Sequence, residues 1–342
     1  MSQVPVSIVI PLYNSEQHIV NVLDAILAQD YAGEKEIIVV NDGSTDRSRE
    51  LIRSFEHEGR ITVLDQPNQG AVAATNNGFR RARFDFIFSI DSDVVLTKDW
   101  LSKAMEEFGD PAVAAVQGYY RTPRGVSLMA RMMGYDVEAR YDAIPSKYVT
   151  QVCTGDTGYR RSALDRAGLF DPRFVYGYDN DMSYRLVKAG HRLVFRRDAF
   201  CDHYWKADLA TYVKQQYRSA YGRMQLVSKH PERMAGDSVS GLRMILQVPL
   251  TLLAAACLLA GGVLAAAAGR WEILIAGLLC LGVMLADRVG FAWGVLRKQK
   301  DPAVLLMPFV HLLRNAVWGY ALVRWAVSRL HPGRSQREQL SR

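Results

Sequence analysis

Only four of the 342 residues are cysteine (Cys153, Cys201, Cys257 and Cys280), and no two are spaced as CxxC. That excludes a disulfide scaffold and a CxxC redox or zinc site, and leaves reduced thiols as the expectation for a cytosol-facing protein. Zinc-finger spacing is absent, and so is an RNA-binding aromatic motif. The net charge of +7 therefore does not argue for nucleic acid. Internal repeats and low-complexity linkers are also missing. Met1–Gln3 lacks a basic stretch, and the apolar run Val4–Ile10 is short and stopped by Pro11. The expectation is no signal peptide and an N-terminal domain held in the cytoplasm.

What is present is uneven. A chain of this length suggests one large catalytic domain with an appendage. Val4–Ile10, Glu36–Val40, Arg60–Leu64 and Phe84–Ile90 read as strands. Glu16–Gln29 and Gly70–Arg83 between them read as helices, and the turn at Asp42–Asp46 feeds another, with Ser44 or Thr45 as its cap. Strands alternating with helices predict an α/β fold, a mainly parallel sheet with helices on both faces. Ligands of such sheets bind at the carboxyl ends of the strands. Three strands end there in polar clusters: Tyr13-Asn14, Asn41-Asp42 and Asp91-Ser92-Asp93.

Beyond Trp205 the pattern changes. Leu209, Val213, Tyr217, Ala220, Met224 and Val227 recur at steps of three and four, which predicts an amphipathic helix stopped by Pro231. It packs on the catalytic domain or lies on a membrane. Leu242–Ala268 exceeds the ~20 apolar residues that cross a bilayer. Ile273–Leu296 reads as a second span, shortened by Asp287 and Arg288 near the cytoplasmic interface. Arg297, Lys298 and Lys300 mark the inside of the resulting hairpin. The segment 303–330 is apolar but holds Pro308, His311, Arg314, Asn315 and Arg324, so an interfacial or re-entrant helix pair is expected. The division is 1–205 catalytic, 206–236 linker, 237–330 membrane region and 331–342 basic cytoplasmic tail.

Asp91-Ser92-Asp93 places two carboxylates at the end of a buried strand. They repel unless a cation lies between them, and hard oxygen ligands suit Mg²⁺ or Mn²⁺. A solvated turn capping the next helix is the alternative. Asp42 accepts from a base or ribose, or belongs to an ordinary turn. Asn68, Gly70 and Asn76 sit beside the same cleft. Asp179, at the start of a helical stretch, is placed to act as a base on an acceptor hydroxyl, or is there because the helix dipole favours it. His203 is a third metal ligand, a diphosphate donor or a structural histidine. Gln215 and Arg218 on the amphipathic helix contact diphosphate or lipid phosphate, or form a solvated face.

Taken in order, Pro11-Leu-Tyr-Asn14, Ile37-Ile-Val-Val-Asn-Asp-Gly-Ser-Thr-Asp46, Asn68-Gln-Gly70, Asn76-Asn-Gly78 and Asp91-Ser-Asp93 form the first part of an ordered motif set. Gly155-Asp-Thr-Gly-Tyr-Arg-Arg161, Gly168-Leu-Phe-Asp171 and Asp179-Asn-Asp181 complete it. The set resembles the family 2 glycosyltransferases of GT-A fold over roughly residues 4–230. The resemblance implies that Pro11, Tyr13, Asn14, Asp42, Asn68, Gly70 and Asn76 line the nucleotide site. It also implies that Asp91 holds ribose or sugar, that Asp93 with Asp91 and His203 binds a divalent metal (Mn²⁺ or Mg²⁺), and that Asp179 is the base. Tyr178 stands where the family has Glu. Gln215-Gln-Tyr-Arg218 is similar to a helix of members with C-terminal membrane helices, which build exopolysaccharide or lipid-linked sugars in bacteria. The implied reaction is inverting transfer from a nucleotide-sugar, UDP-sugar being expected, to a lipid-linked or glycan acceptor. Membrane lipid and polysaccharide-assembly proteins are the implied partners. A polyprenyl-phosphate glycosyltransferase, a nucleotidyltransferase and a non-catalytic membrane scaffold are the rival readings.

Overall fold

The computed structural model describes residues 3–205 and 208–330, which fall into two compact units. The basic tail at 331–342 lies outside the described residues. The first unit holds residues 3–126 and 140–205; the second holds 127–139 and 208–330. The sequence analysis places 127–139 in the catalytic domain, but these residues group with the helical unit.

In chain order the first unit opens with β1 (Val6–Leu12), α1 (Ile19–Leu27), β2 (Lys35–Asn41), α2 (Ser48–Leu51), α3 (Arg53–His57), β3 (Thr62–Asp65), α4 (Ala71–Arg81) and β4 (Phe86–Ile90). Then come β5 (Val94–Leu96), α5 (Trp100–Glu107) and β6 (Val113–Arg121). The helix α6 (Leu128–Asp142) follows, its residues up to Ala139 grouping with the second unit. The first unit closes with β7 (Tyr148–Val149), β8 (Asp156–Arg160), α7 (Arg161–Ala167), α8 (Tyr178–Lys188) and β9 (Arg192–His203).

One sheet runs β3-β2-β1-β4-β8-β6-β9-β5, with β7 paired to β9. The half β3-β2-β1-β4 is parallel, as the alternation predicts. Strands β1, β2 and β4 carry apolar runs buried under helices, with Ile8, Val9, Ile10, Ile38, Val39 and Val40 all buried, while the edge strand β3 is partly exposed. Each such side chain contributes ~1.5–3 kcal/mol of burial free energy. The other half is mixed: β8 runs antiparallel to β4 and β6, and β5 antiparallel to β9. The sheet is thus less parallel than expected, because short strands return beside β4.

The cap of α2 also differs. Ser44 and Thr45 bond to Asn14 instead, and Asp46 accepts the Ser48 backbone N–H at 2.9 Å. The earlier turn is held by Asn14, so its hydroxyls are not free for the helix.

The second unit contains α9 (Leu209–Lys229), α10 (Leu242–Ala268), α11 (Glu272–Gln299) and α12 (Met307–Leu330). Asp208 caps α9, accepting the Thr211 N–H at 2.8 Å. The helices α10 and α11 are long and apolar enough to cross a membrane. They form an antiparallel hairpin whose backbones touch at glycines: a Cβ on Gly261 would meet Leu274 N at 2.3 Å, and one on Gly277 would meet Leu258 N at 3.0 Å. Asp287 pairs with Arg243 and lies beside Gln247. The charged residues of α11 therefore stand level with the first turns of α10, and the uncharged stretch between helix ends is shorter than α11 itself.

Candidate active site

The carboxyl ends of β1, β2 and β4 lie side by side, since Leu12 pairs with Asn41 and Val9 with Ser89. Tyr13-Asn14, Asp42 and Asp91 therefore share one edge of the sheet. The backbone of Asn14 is left-handed, φ 49°, a conformation Asn tolerates better than most residues. Its side chain then reaches across to the β2 loop: Oδ1 accepts the Thr45 N–H at 2.8 Å and Nδ2 donates to Thr45 Oγ1 at 3.2 Å. Ser15 ties the same turn to the third cluster, donating from Oγ to the Ser92 carbonyl at 2.8 Å. Tyr13 is left half exposed, at 49%.

Asp42 is buried, and its carboxylate organises the next loop. It accepts from Gln66 Nε2, Gln69 N and Gly70 N, each at 2.8 Å. Gly43 has φ 70°, and a Cβ there would meet Asn68 N at 3.0 Å, so the two loops are in close contact. Asn68 and Gly70 are thus held beside Asp42. Asn76 behaves differently. It is 4% exposed, and both ends of its amide are taken by one residue: Nδ2 donates to Phe170 O at 2.8 Å and Oδ1 accepts Phe170 N–H at 3.0 Å. Asn76, expected to line the nucleotide site, is a clamp on the 170 loop.

At β4 the Asp91 N–H donates to Gly155 O at 3.0 Å, joining the Asp91–Asp93 loop to the start of β8. A Cβ on Gly155 would meet Asp91 Oδ2 at 2.5 Å and Tyr120 Oη at 2.6 Å, so glycine is what lets these groups close on one another. Asp93 stands beside β9. Val94 pairs with His203 across β5 and β9, and His203 Nε2 lies 3.5 Å from Asp93 Oδ1. The His203 ring packs against Trp205 and Tyr120, with centroids 3.7 and 4.7 Å away, and Nδ1 is buried with no hydrogen-bond partner among the described residues.

Among the described residues no three His, Cys, Asp or Glu side chains converge tightly enough to hold a metal alone. Of the expected trio Asp91, Asp93 and His203, the close pair is Asp93 with His203. A carboxylate oxygen facing an imidazole nitrogen still suits Mn²⁺ or Mg²⁺, with ligand oxygens to complete the shell.

Asp179 sits in the first turn of α8, whose N-cap Gly177 is left-handed at φ 78°. Its Oδ1 accepts the Asn180 N–H at 2.9 Å. Burial pushes the Tyr178 phenol up, and the charges of Asp91 and Asp179 push it further, so the two carboxylates bear on one ring. Burial, reinforced by Asp179, pushes the Cys153 thiol up to about 12, which leaves it protonated and inert. Asp181, in the same turn, is fully buried and pairs with Arg185 Nε at 2.9 Å; Arg185 in turn holds the Gly168 and Leu169 carbonyls.

Sequence reasoning missed Tyr120 and Asp156. Asp156 opens β8 fully buried, accepts from Tyr120 and from Cys201 Sγ at 3.4 Å, and has no cation partner among these. Burial raises its carboxyl well above the usual range. The motif Gly155-Asp-Thr-Gly158 was visible, but nothing in it says that the aspartate points inward.

Gln215 and Arg218 lie on α9, in the helical unit. Gln215 Oε1 and Arg218 Nε are buried atoms without a hydrogen-bond partner among the described residues.

Much of the chain is similar to known proteins. The profile for glycosyl transferase family 2 matches residues 7–168. Glycosyltransferase AglE of Haloferax volcanii is 25% identical over 226 residues, 65% of this chain and 73% of AglE. The poly-β-1,6-N-acetyl-D-glucosamine synthase of Staphylococcus aureus is 27% identical over 224 residues, 64% of this chain and 54% of the synthase. The match thus spans about half the length of that relative. Among solved structures, the mannosyltransferase PcManGT from Pyrobaculum calidifontis, in complex with GDP-Man and Mn²⁺, aligns with a TM-score of 0.56 at 19% identity, over 93% of this chain and 87% of that one. That likeness shows the GT-A fold.

Proposed function

We propose that the chain is a family 2 glycosyltransferase of GT-A fold, a metal-dependent, inverting enzyme that moves a sugar from a nucleoside diphosphate-sugar to a membrane-associated acceptor. The observation that carries the reading is the single edge of the sheet on which Asp42, Asp91 and the Asp93–His203 pair are gathered. Asp93 and His203 would hold a divalent ion, of which the solved relative carries one as Mn²⁺. Such an ion supplies charge compensation for a departing diphosphate.

The chain's own residues do the rest. Tyr13, exposed beside Asp42, offers a ring on which a base stacks. Asp42 keeps the 66–70 loop folded against the base side of the site. Asp91, tied to Gly155 through its N–H, accepts from donor hydroxyls. Asp179 is held at the head of a helix and removes the acceptor's proton, so that the oxygen attacks the anomeric carbon opposite the diphosphate. Gln215 and Arg218, with unpaired polar atoms on α9, are assigned to phosphate of donor or lipid. The α10–α11 hairpin anchors the chain in a bacterial cytoplasmic membrane, with its catalytic residues on the cytoplasmic side. This confines a lipid-linked or glycan acceptor near the donor and lowers the entropic cost of their encounter. Polysaccharide-assembly proteins are the proposed partners.

The test is Asp179→Asn in a transfer assay with a donor panel. Turnover is expected to fall about 10²–10⁴-fold with nucleotide affinity kept. Retained turnover would remove Asp179 from the base role. Retention of the donor's anomeric configuration in the product would contradict the inverting step.

A further inference from the structure

Tyr178 opens α8 one residue before Asp179, and its side chain is held at both ends. The ring meets Phe170 edge-on, with centroids 5.5 Å apart. Phe170 is anchored in turn: Asn76 bonds both its N–H and its carbonyl, and its ring packs on Phe79 and Tyr159 at 5.6 and 6.0 Å. At the far end, Tyr178 Oη accepts from Thr154 Oγ1 at 3.4 Å. Thr154 is buried, and the next residue, Gly155, takes the Asp91 N–H on its carbonyl. The half-buried phenol therefore has one fixed place, where the charges of both Asp91 and Asp179 reach it.

The hydrogen-bonding groups there are unequal in kind. A carboxylate only accepts, whereas a hydroxyl both donates and accepts. The Thr154 and Tyr178 hydroxyls share a single bond, so one of their two protons has no acceptor among the described residues. Burial and the two carboxylate charges keep the phenol protonated, which keeps that proton available at neutral pH. A sugar hydroxyl completes the set: it gives its own proton to a carboxylate and takes one from the phenol.

We propose that the Tyr178 hydroxyl donates to the hydroxyl of the transferred sugar from which Asp91 accepts, which makes Tyr178 a specificity-determining residue for the donor. This rests on the glycosyl-transfer reading of the site. The acceptor's attacking hydroxyl, beside Asp179, is the wrong partner for the phenol, because a hydrogen bond donated to it occupies a lone pair needed for attack on the anomeric carbon. A donor without the recognised hydroxyl leaves both the phenol and the Asp91 carboxylate unpaired, which is how a polar site rejects an analogue.

The test uses the detergent-purified full chain, the UDP-, GDP- or dTDP-hexose that it turns over, and the monodeoxy analogues of that hexose, one hydroxyl removed at a time. Tyr178→Phe keeps the ring on Phe170 and removes the proton. It is expected to lower kcat/KM for the full donor about tenfold and to leave the acceptor KM unchanged. With one monodeoxy analogue, the natural chain and the variant are expected to be equal, because the hydroxyl served by the phenol is gone. Thr154→Val keeps the phenol and loosens its aim, so a smaller loss that vanishes with the same analogue is expected; it reads the same ratio should Tyr178→Phe not fold. Unchanged kinetics in Tyr178→Phe would leave Tyr178 with packing alone and overturn the proposal. An equal loss with every analogue would overturn it too, and so would a loss confined to the acceptor KM. No transfer by the natural chain from any donor would overturn the proposed function and this inference with it.

Discussion

At the scale of the residue, the site is organised by groups that serve other groups. Gly155 separates the Asp91 carboxylate from the Tyr120 hydroxyl, and a methyl there has no room on either side. Gly155→Ala is expected to weaken donor binding at least tenfold without unfolding the protein, measured by nucleotide titration alongside circular dichroism; unchanged affinity would separate Asp91 from the donor. Asp156 gives a pH test. Its carboxyl is raised by burial, so the fold favours the protonated form. That contribution is complete below the ordinary carboxylate pKa near 3.9 and is lost as pH rises toward the folded value. Asp156→Asn keeps the shape and removes the proton cost. The thermal midpoint of the variant relative to the natural chain is expected to rise steadily from pH 5 to pH 8. A constant difference would mean Asp156 is ionised in the fold.

At the scale of the element, legibility followed pattern strength. Three of the four parallel strands, β1, β2 and β4, showed themselves as apolar runs ending in Tyr13-Asn14, Asn41-Asp42 and Asp91-Ser92-Asp93, and the topology then placed those ends together. The strands β6, β8 and β9 left no such trace. Asp156–Arg160 is buried with hardly an aliphatic residue in it, and β9 is interrupted by Arg196, Arg197 and Asp198: Arg196 pairs with Asp198 and Glu107, and Arg197 donates to the Asp142 and Ile144 carbonyls. Their burial and pairing come from partners far away in sequence. Asn76 shows the same limit: its type suggested a ligand, and only the position of Phe170 revealed a clamp. Asn76→Ala is therefore expected to act on stability and leave nucleotide affinity near its natural value. It strands a buried N–H and C=O, at about 1–3 kcal/mol each, read as a lower denaturation midpoint in urea. A large loss of affinity at unchanged stability would return Asn76 to the binding site.

At the scale of the molecule, a unit of GT-A fold, matched over residues 7–168 by the glycosyl transferase family 2 profile, and a helical unit share one chain. The helical unit also takes in residues 127–139, from the middle of the catalytic sequence. That insertion was hidden because Leu128–Asp142 reads as an unremarkable helix; its counter-charges, Asp301 for Arg131 and His311 with Arg314 for Asp136, lie some 170 residues onward. The two long apolar helices α10 and α11, in contrast, were legible from length and composition alone. What the chain does depends on whether the strand ends form one metal-dependent nucleotide site. Calorimetric titration of the detergent-purified full chain with UDP, GDP and dTDP, each with and without Mn²⁺ and with Asp93→Ala in parallel, measures this directly. Metal-dependent binding of one nucleotide, abolished in Asp93→Ala, is the expected result. Equal binding with and without Mn²⁺, or full affinity in Asp93→Ala, would contradict it.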